Sequence, residues 1–280
     1  MSMTGEIDNT VVRAHAIAAD AMKPRHGQRL LNWAGSALAL ALFLVIGRDI
    51  GFSLHRLYTG MLHLGHFFTL MWPPTADGQE RAIFVALGQT LAMAFLGTAL
   101  VVTFAIPLGI LGARTIVAQP VIHFVLRRFF DIGRSIPALV WAMVLVSAFG
   151  LGPRVGVTAM VFAETPHLAK LFAETMENRR RGVIESLQAA GASPLQTLRY
   201  GLVPQVLPLM TGMALLLFES NIRASAALGL VGAGGIGVLL DTRIQLLQLD
   251  QVAWITVLFI LLVLAIDIAS QTLRRRLIKS

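Results

Sequence analysis

Four ionisable residues interrupt an apolar run between Val155 and Met176: Glu164, His167, Lys170 and Glu174. Steps of three, three and four keep them within about a third of a helix circumference. Ionisable side chains inside a membrane face a bundle interior or a wetted path rather than lipid. The chemistry open to them is a proton relay or the polar wall of a solute path. A self-satisfied stripe is the plainer reading, with Lys170 and Glu174 paired at i, i+4. Pro166 frees a backbone carbonyl beside them. A second group, Glu219, Asn221 and Arg223, sits in another apolar run. Glu219 and Arg223 are four apart with the acid first, the favourable order for a helical ion pair. The pair reads either as a structural clamp on the end of its span or as a source of positive potential, from Arg223, at the outer mouth of a path for an anionic solute. His63 and His66, with His55 before them, lack a nearby carboxylate. They read as interfacial packing, and no metal is expected.

The elements that must position these residues are membrane helices. Hydrophobic residues make up 56% of the 280, and charged residues only 14%, against roughly 25% in soluble domains. Crossing a hydrocarbon core takes about 20 apolar residues. About six runs approach that length: Leu31–Gly47, Ala82–Ala113, Ile136–Leu151, Val155–Met176, Pro204–Ala224 and Val252–Ser270. The second exceeds the need and is expected to tilt or project. Gly150, Gly152 and Pro153 crowd the end of the third. The fold class expected is all-α and polytopic.

Sixteen arginines and lysines lie in the leader, the loops after spans two and four, and the tail, against six in the other loops. The positive-inside rule then places both termini and the 178–203 loop in the cytoplasm. The net charge of +8 is mostly a topology signal, and no nucleic acid is expected as a partner. The leader, 1–30, is too long for a usual signal-peptide n-region and no clear cleavage site follows, so 31–47 reads as a retained anchor. A cytoplasmic surface helix is expected over Val11–Lys23. Residues 48–81 read as an outer interfacial segment with Trp72 at headgroup level. Residues 82–270 form the core and 271–280 a cytoplasmic tail. There is no cysteine, which excludes disulfides and thiol chemistry. No phosphate loop of the G-x4-G-K-[ST] type occurs, nor H-E-x-x-H or G-x-S-x-G. An enzyme is not expected, and any ATP consumed must be hydrolysed by another subunit.

Two segments carry denser information. Glu185-Ser-Leu-Gln-Ala-Ala-Gly191 lies in a cytoplasmic loop, thirteen residues before Pro204. Ile184 to Ala190 consists of good helix formers, and Gly191 can take the left-handed conformation that ends a helix. Ser193 reads as an N-cap with Pro194 at the first position of a second short helix, Leu195 to Tyr200. Taken locally, this is also an ordinary helix-turn-helix loop. The second segment, Gly229-Leu-Val-Gly-Ala-Gly-Gly-Ile-Gly237, spells G-x-G-x-x-G. No strand–turn–helix unit surrounds it, so the dinucleotide reading fails. Gly229, Gly232, Gly234, Gly235 and Gly237 suit a close-packed or broken-helix passage at membrane depth.

Glu185, Gly191 and Pro204 fall on the Glu, Gly and Pro positions of the E-A-A-x3-G-x9-I-x-L-P loop of ABC importer permeases. Ala189 and Ala190 complete the short helix, while Ser186, Leu187, Gly201 and Val203 depart from the motif. Together with Lys170–Glu174, Glu219–Gly237 and Arg134–Trp141, the chain from about Trp72 onward resembles the permease of a phosphonate ABC importer. The resemblance implies a type I ABC importer permease fold in a bacterial inner membrane. It implies two ATPase subunits holding ATP and Mg, a second copy or paralogue, and an extracytoplasmic substrate-binding protein. This chain would hold no cofactor. Glu185, Ala189, Ala190, Gly191 and Pro204 would couple to the ATPase. Glu164, His167, Lys170, Glu219, Asn221 and Arg223 would lie along the path, and the glycines at its gate. The solute implied is a small phosphorus oxyanion. A permease for another solute such as methionine, or a proton-coupled secondary transporter, are the alternatives.

Overall fold

A computed structural model describes residues 26–49, 51, 53–114, 116–117, 119–179, 181–193 and 196–279. The expected surface helix over Val11–Lys23 and the position of Pro194 lie outside these residues. The described chain is helical throughout. It divides into two units, Met1–Phe67 and Phe68–Ser280. The first carries α1 (His26–Asp49), which covers the expected anchor, and most of α2 (Leu54–Leu70).

The second unit holds α3 (Glu80–Gly112), α4 (Pro120–Gly133), α5 (Ala138–Phe149), α6 (Pro153–Glu177), α7 (Arg181–Ala189), α8 (Val203–Gly229), α9 (Ile236–Gln245) and α10 (Leu249–Lys279). Three helical stretches of this unit are long and apolar enough to cross a membrane, by length and composition alone: Glu80–Gly112, Arg199–Gly229 and Leu249–Arg276. The first is about 50 Å long at 1.5 Å per residue, well beyond the hydrocarbon thickness. The run expected as a third span resolves differently. α5 has 12 residues, about 18 Å of helix, too short to cross alone. It meets α4 at 80°, so the pair forms one broken span or a re-entrant element. α6 has 25 residues, but its polar stripe lowers its hydropathy, and composition alone does not mark it as a span.

The core is organised around α3 and α6, the most extensively packed pair. Small residues permit this approach. Gly97, Ala105 and Gly109 of α3 are buried against Ala159, Ala169 and Ala173 of α6. A Cβ on Gly109 would lie 2.9 Å from the Cβ of Phe172. Threonines in this seam satisfy themselves along their own helix: Thr98 Oγ1 donates to Ala94 O at 2.7 Å. Phe130, Phe172, Leu202, Val206 and Met210 fill the layer at the coupling-loop end. Ile83, Leu87, Ile236 and Ile255 fill the opposite layer. Phe84, Phe95 and Phe104 of α3, and Ile260, Leu264 and Ile268 of α10, point outward and exposed. Such an exterior suits lipid as solvent, where apolar side chains have no reason to hide.

The segment before α3 is stitched to α9 and α10. Thr75 Oγ1 donates to Asp250 at 2.7 Å, and the Arg243 guanidinium donates to both Gln248, at 2.7 Å, and Gln79.

Candidate functional site

The segment expected to couple to an ATPase is built as a short arm. α7 is an amphipathic helix of nine residues. Glu185, Ala189 and Ala190 are exposed and Leu187 is half-buried. Ala192 N donates to Leu187 O at 3.0 Å, wrapping the helix end. Gly191 makes this possible with φ +82, in open space with no atom within 4 Å of a Cβ. The glycine is therefore required by the backbone and not by crowding. Ser193 and Gln196 then form a reciprocal capping box: Ser193 N donates to Gln196 Oε1 at 2.8 Å and Gln196 N to Ser193 Oγ at 3.4 Å.

The α-helical turn expected over Leu195–Tyr200 is replaced by a wider one. Thr197–Leu202 is a π-helical turn running straight into α8, and Pro204 occupies the first turn of that helix. Proline lacks the N–H an α-helix would use, so the ladder widens before it. Thr197 and Leu202 are buried, and α7 packs on this turn. The arm is thus rooted in the core at one end and exposed at the other.

The polar stripe of α6 is not satisfied within its own helix in the way the spacing suggested. Lys170 Nζ donates to Asp131 of α4 at 2.5 Å, not to Glu174. Glu174 and Glu177 share Arg127 of α4, at 3.3 and 2.6 Å. Glu177 also accepts from the Arg114 backbone N–H at 2.9 Å. Only Glu164 and His167 interact along the helix, at 3.8 Å. Arg127 and Asp131 of α4 supply charge partners across the seam, and the tertiary arrangement outcompetes the i, i+4 geometry.

The group on α8 separates likewise. Glu219 and Asn221 are buried, whereas Arg223 is exposed. Glu219 pairs with Arg274 of α10 at 2.6 Å, not with Arg223. Four residues advance a helix by about 400°, so Arg223 stands some 40° further round. Asn221 Nδ2 donates to Thr98 Oγ1 at 3.0 Å, fastening α8 to α3. Among the described residues no ion-pair partner reaches the Arg223 guanidinium.

The glycine block makes the α8–α9 turn. Gly232, Gly234 and Gly235 have φ of +88, +92 and +72, the region that disfavours any side chain. Gly229 and Gly237 instead allow α8 and α9 to touch, since a Cβ on Gly237 would run into Ala226 O. Thr90 of α3 anchors the turn by accepting from Ile236 N at 2.8 Å. Gly152 N donates to Gly232 O at 3.0 Å, tying in the α5–α6 link.

Sequence spacing missed three groups of participants. Arg274 looked like one of a run of tail cations, Arg274–Arg276. Arg127 counted only as one of the loop cations, and Asp131 carried no signal. Thr90 carried no signal beyond being a hydroxyl in an apolar run. Among the described residues no group of three metal-ligating side chains converges.

A family model described as binding-protein-dependent transport system inner membrane component matches residues 105–279. The putative phosphite transport system permease protein HtxC of Stutzerimonas stutzeri is 34% identical over 88% of this chain and 87% of its own length. The phosphate-import permease protein PhnE of Mycolicibacterium smegmatis is 36% identical over 79% of this chain, which spans 42% of that protein's length. Among solved structures, an inward-facing MetNI methionine ABC transporter superposes with a TM-score of 0.62 at 24% identity, over 72% of this chain and 99% of that one. That likeness shows the fold, an all-helical type I ABC importer permease. With the family model spanning more than half of the sequence, the chain belongs to the binding-protein-dependent transport system inner membrane components: it is a multi-pass permease, a transport subunit and not an enzyme.

Proposed function

We propose that this permease forms the path for a small phosphorus oxyanion, a phosphonate, phosphite or relative, handed over by an extracytoplasmic binding protein. Two ATPase subunits, holding ATP and Mg, would drive it through α7. A second copy or a paralogue would complete the path. Both termini and α7 would face the cytoplasm, following the distribution of arginine and lysine. The observation that carries the anion reading is Arg223, an exposed arginine in a membrane helix with no ion-pair partner among the described residues. Facing lipid is costly for it, so its face belongs on a wetted path or against another chain. The names of the relatives, phosphite and phosphate permeases at 34 and 36% identity, support the same solute class. A methionine-type permease is the second reading, favoured by relatives at 28 to 30% identity.

The test is uptake into proteoliposomes holding the permease with its ATPase and binding-protein subunits. Phosphite or methylphosphonate should enter in an ATP-dependent manner and methionine should not. Arg223→Ala should assemble normally and lose roughly tenfold in anion uptake, about 1.4 kcal/mol of favourable potential. Methionine uptake without phosphite or methylphosphonate uptake overturns the anion reading, and normal phosphite uptake by Arg223→Ala removes that arginine from the transport role. Uptake driven by a proton gradient alone would mark a secondary transporter.

The coupling role has its own readout in the same vesicles. A β-branched residue at Gly191 is forced toward the left-handed region at a cost of about 1–2 kcal/mol or more. Gly191→Val should therefore insert normally and lower substrate-stimulated ATP hydrolysis about tenfold, with Glu185→Ala lowering it less. Wild-type stimulation in both would leave α7 a mere connection.

A further inference from the structure

The α3–α4 connection, α4 and α6 line a groove of about 1100 Å³. Its charged lining is Arg114, Arg127, Arg128, Lys170, Asp131 and Glu177. The carboxylates are already engaged. Asp131 takes Lys170 at 2.5 Å, and Glu177 takes Arg127 at 2.6 Å. Glu174, just beside, takes the other Arg127 nitrogen at 3.3 Å. Two cations are left over. The Arg114 guanidinium has no partner among the described residues. Arg128 is 64% exposed, and among the described residues it is held by a 3.6 Å approach to Asp131 and by the Phe124 ring, 5.4 Å away. Beside these arginines the groove wall turns apolar, with Val121 and Phe124 exposed on α4 together with Val125, Phe129 and Ile132. An apolar exposed face with a basic flank is the pattern of a helix segment at a membrane interface.

We propose that this groove holds the headgroup of an anionic phospholipid of the cytoplasmic leaflet. Arg114 and Arg128 bind its phosphodiester oxygens, since the guanidinium fork matches phosphate geometry. Val121 and Phe124 meet the start of the acyl chains. The same arginines would accept free phosphate, but only a lipid also satisfies the apolar wall. The proposal rests on the cytoplasmic orientation given above.

The experiment uses the full chain in phosphatidylcholine nanodiscs doped with dioleoyl phosphatidylglycerol, with retained lipid read by native mass spectrometry. Wild type should retain phosphatidylglycerol selectively. Arg114→Gln with Arg128→Gln should weaken it about 25-fold, some fivefold for each arginine near an anionic surface, with unchanged melting in phosphatidylcholine alone. Arg114→Gln by itself removes no side-chain hydrogen bond or ion pair among the described residues and should still show the fivefold loss. Equal retention by the variants overturns the proposal. Displacement of the lipid by millimolar inorganic phosphate would assign the groove to a free anion instead. Loss of ATPase-subunit binding without loss of lipid would assign it to a protein. A cysteine at Ser193 that reacts only from outside would overturn the orientation separately, whatever the lipid result.

Discussion

Arg274→Ala should be among the most damaging single changes to the stability of this permease. The Arg274 guanidinium lies 2.6 Å from Glu219, whose side chain is 8% exposed. Removing one partner strands a carboxylate between α8 and α10, at a cost of roughly 3–5 kcal/mol for a broken buried pair. Arg275 and Arg276 are neighbours in sequence but exposed, and Arg275→Ala should stay within about 0.5 kcal/mol of wild type. The measurement is thermal unfolding of the purified chain in one detergent or nanodisc. Adding Glu219→Gln to Arg274→Ala removes the stranded charge and should recover most of the loss. Equal melting of the Arg274→Ala and Arg275→Ala chains would show that the pair holds nothing together. Failure of Glu219→Gln to rescue would point to lost packing of the arginine stem instead.

Gly237→Ala is the second large effect. Its added methyl would overlap Ala226 O, and would stand 2.8 Å from Gly229 Cα and 3.0 Å from Ala226 C. All three are backbone atoms, so no rotamer change relieves the clash. α8 and α9 must separate, and the Thr90–Ile236 bond with them. The overpacking cost is about 1–3 kcal/mol, occasionally more. Gly212→Ala is the control. Its methyl would meet only the Arg274 side chain at 3.8 Å, an ordinary contact. Helix propensity there favours alanine by about 0.8–1 kcal/mol. The expected order in melting temperature is therefore Gly212→Ala at or above wild type, and Gly237→Ala well below. If Gly237→Ala melts with wild type, the glycine turn is looser than its geometry states.

Features fixed by residues close in sequence could be read without the fold. The apolar runs of α3, α8 and α10 announce themselves because lipid, as the solvent, asks only for length and hydropathy. Gly191 ends α7 because a local backbone torsion demands it, and the Ser193 cap sits three residues from its partner. Gly232, Gly234 and Gly235 are legible for the same reason.

Tertiary structure decided the rest. Glu219 had a plausible partner one helical turn away in Arg223, yet takes Arg274, 55 residues on. Lys170 could have met Glu174, and takes Asp131, 39 residues back. Local spacing cannot rank these choices, because the energy of a charge pair depends on burial and distance set by which helices pack. The run expected as a single span over Ile136–Leu151 became a 12-residue helix set at 80° to its predecessor. The expected α-turn before α8 became a π-turn. The sequence by itself determined that this chain is a bundle of membrane helices with a short exposed helical arm and a glycine turn, since composition and short-range torsions dictate those. Only the tertiary structure decided which charges neutralise one another and which, Arg114 and Arg223, have no ion-pair partner among the described residues, since that depends on side chains brought together across helices.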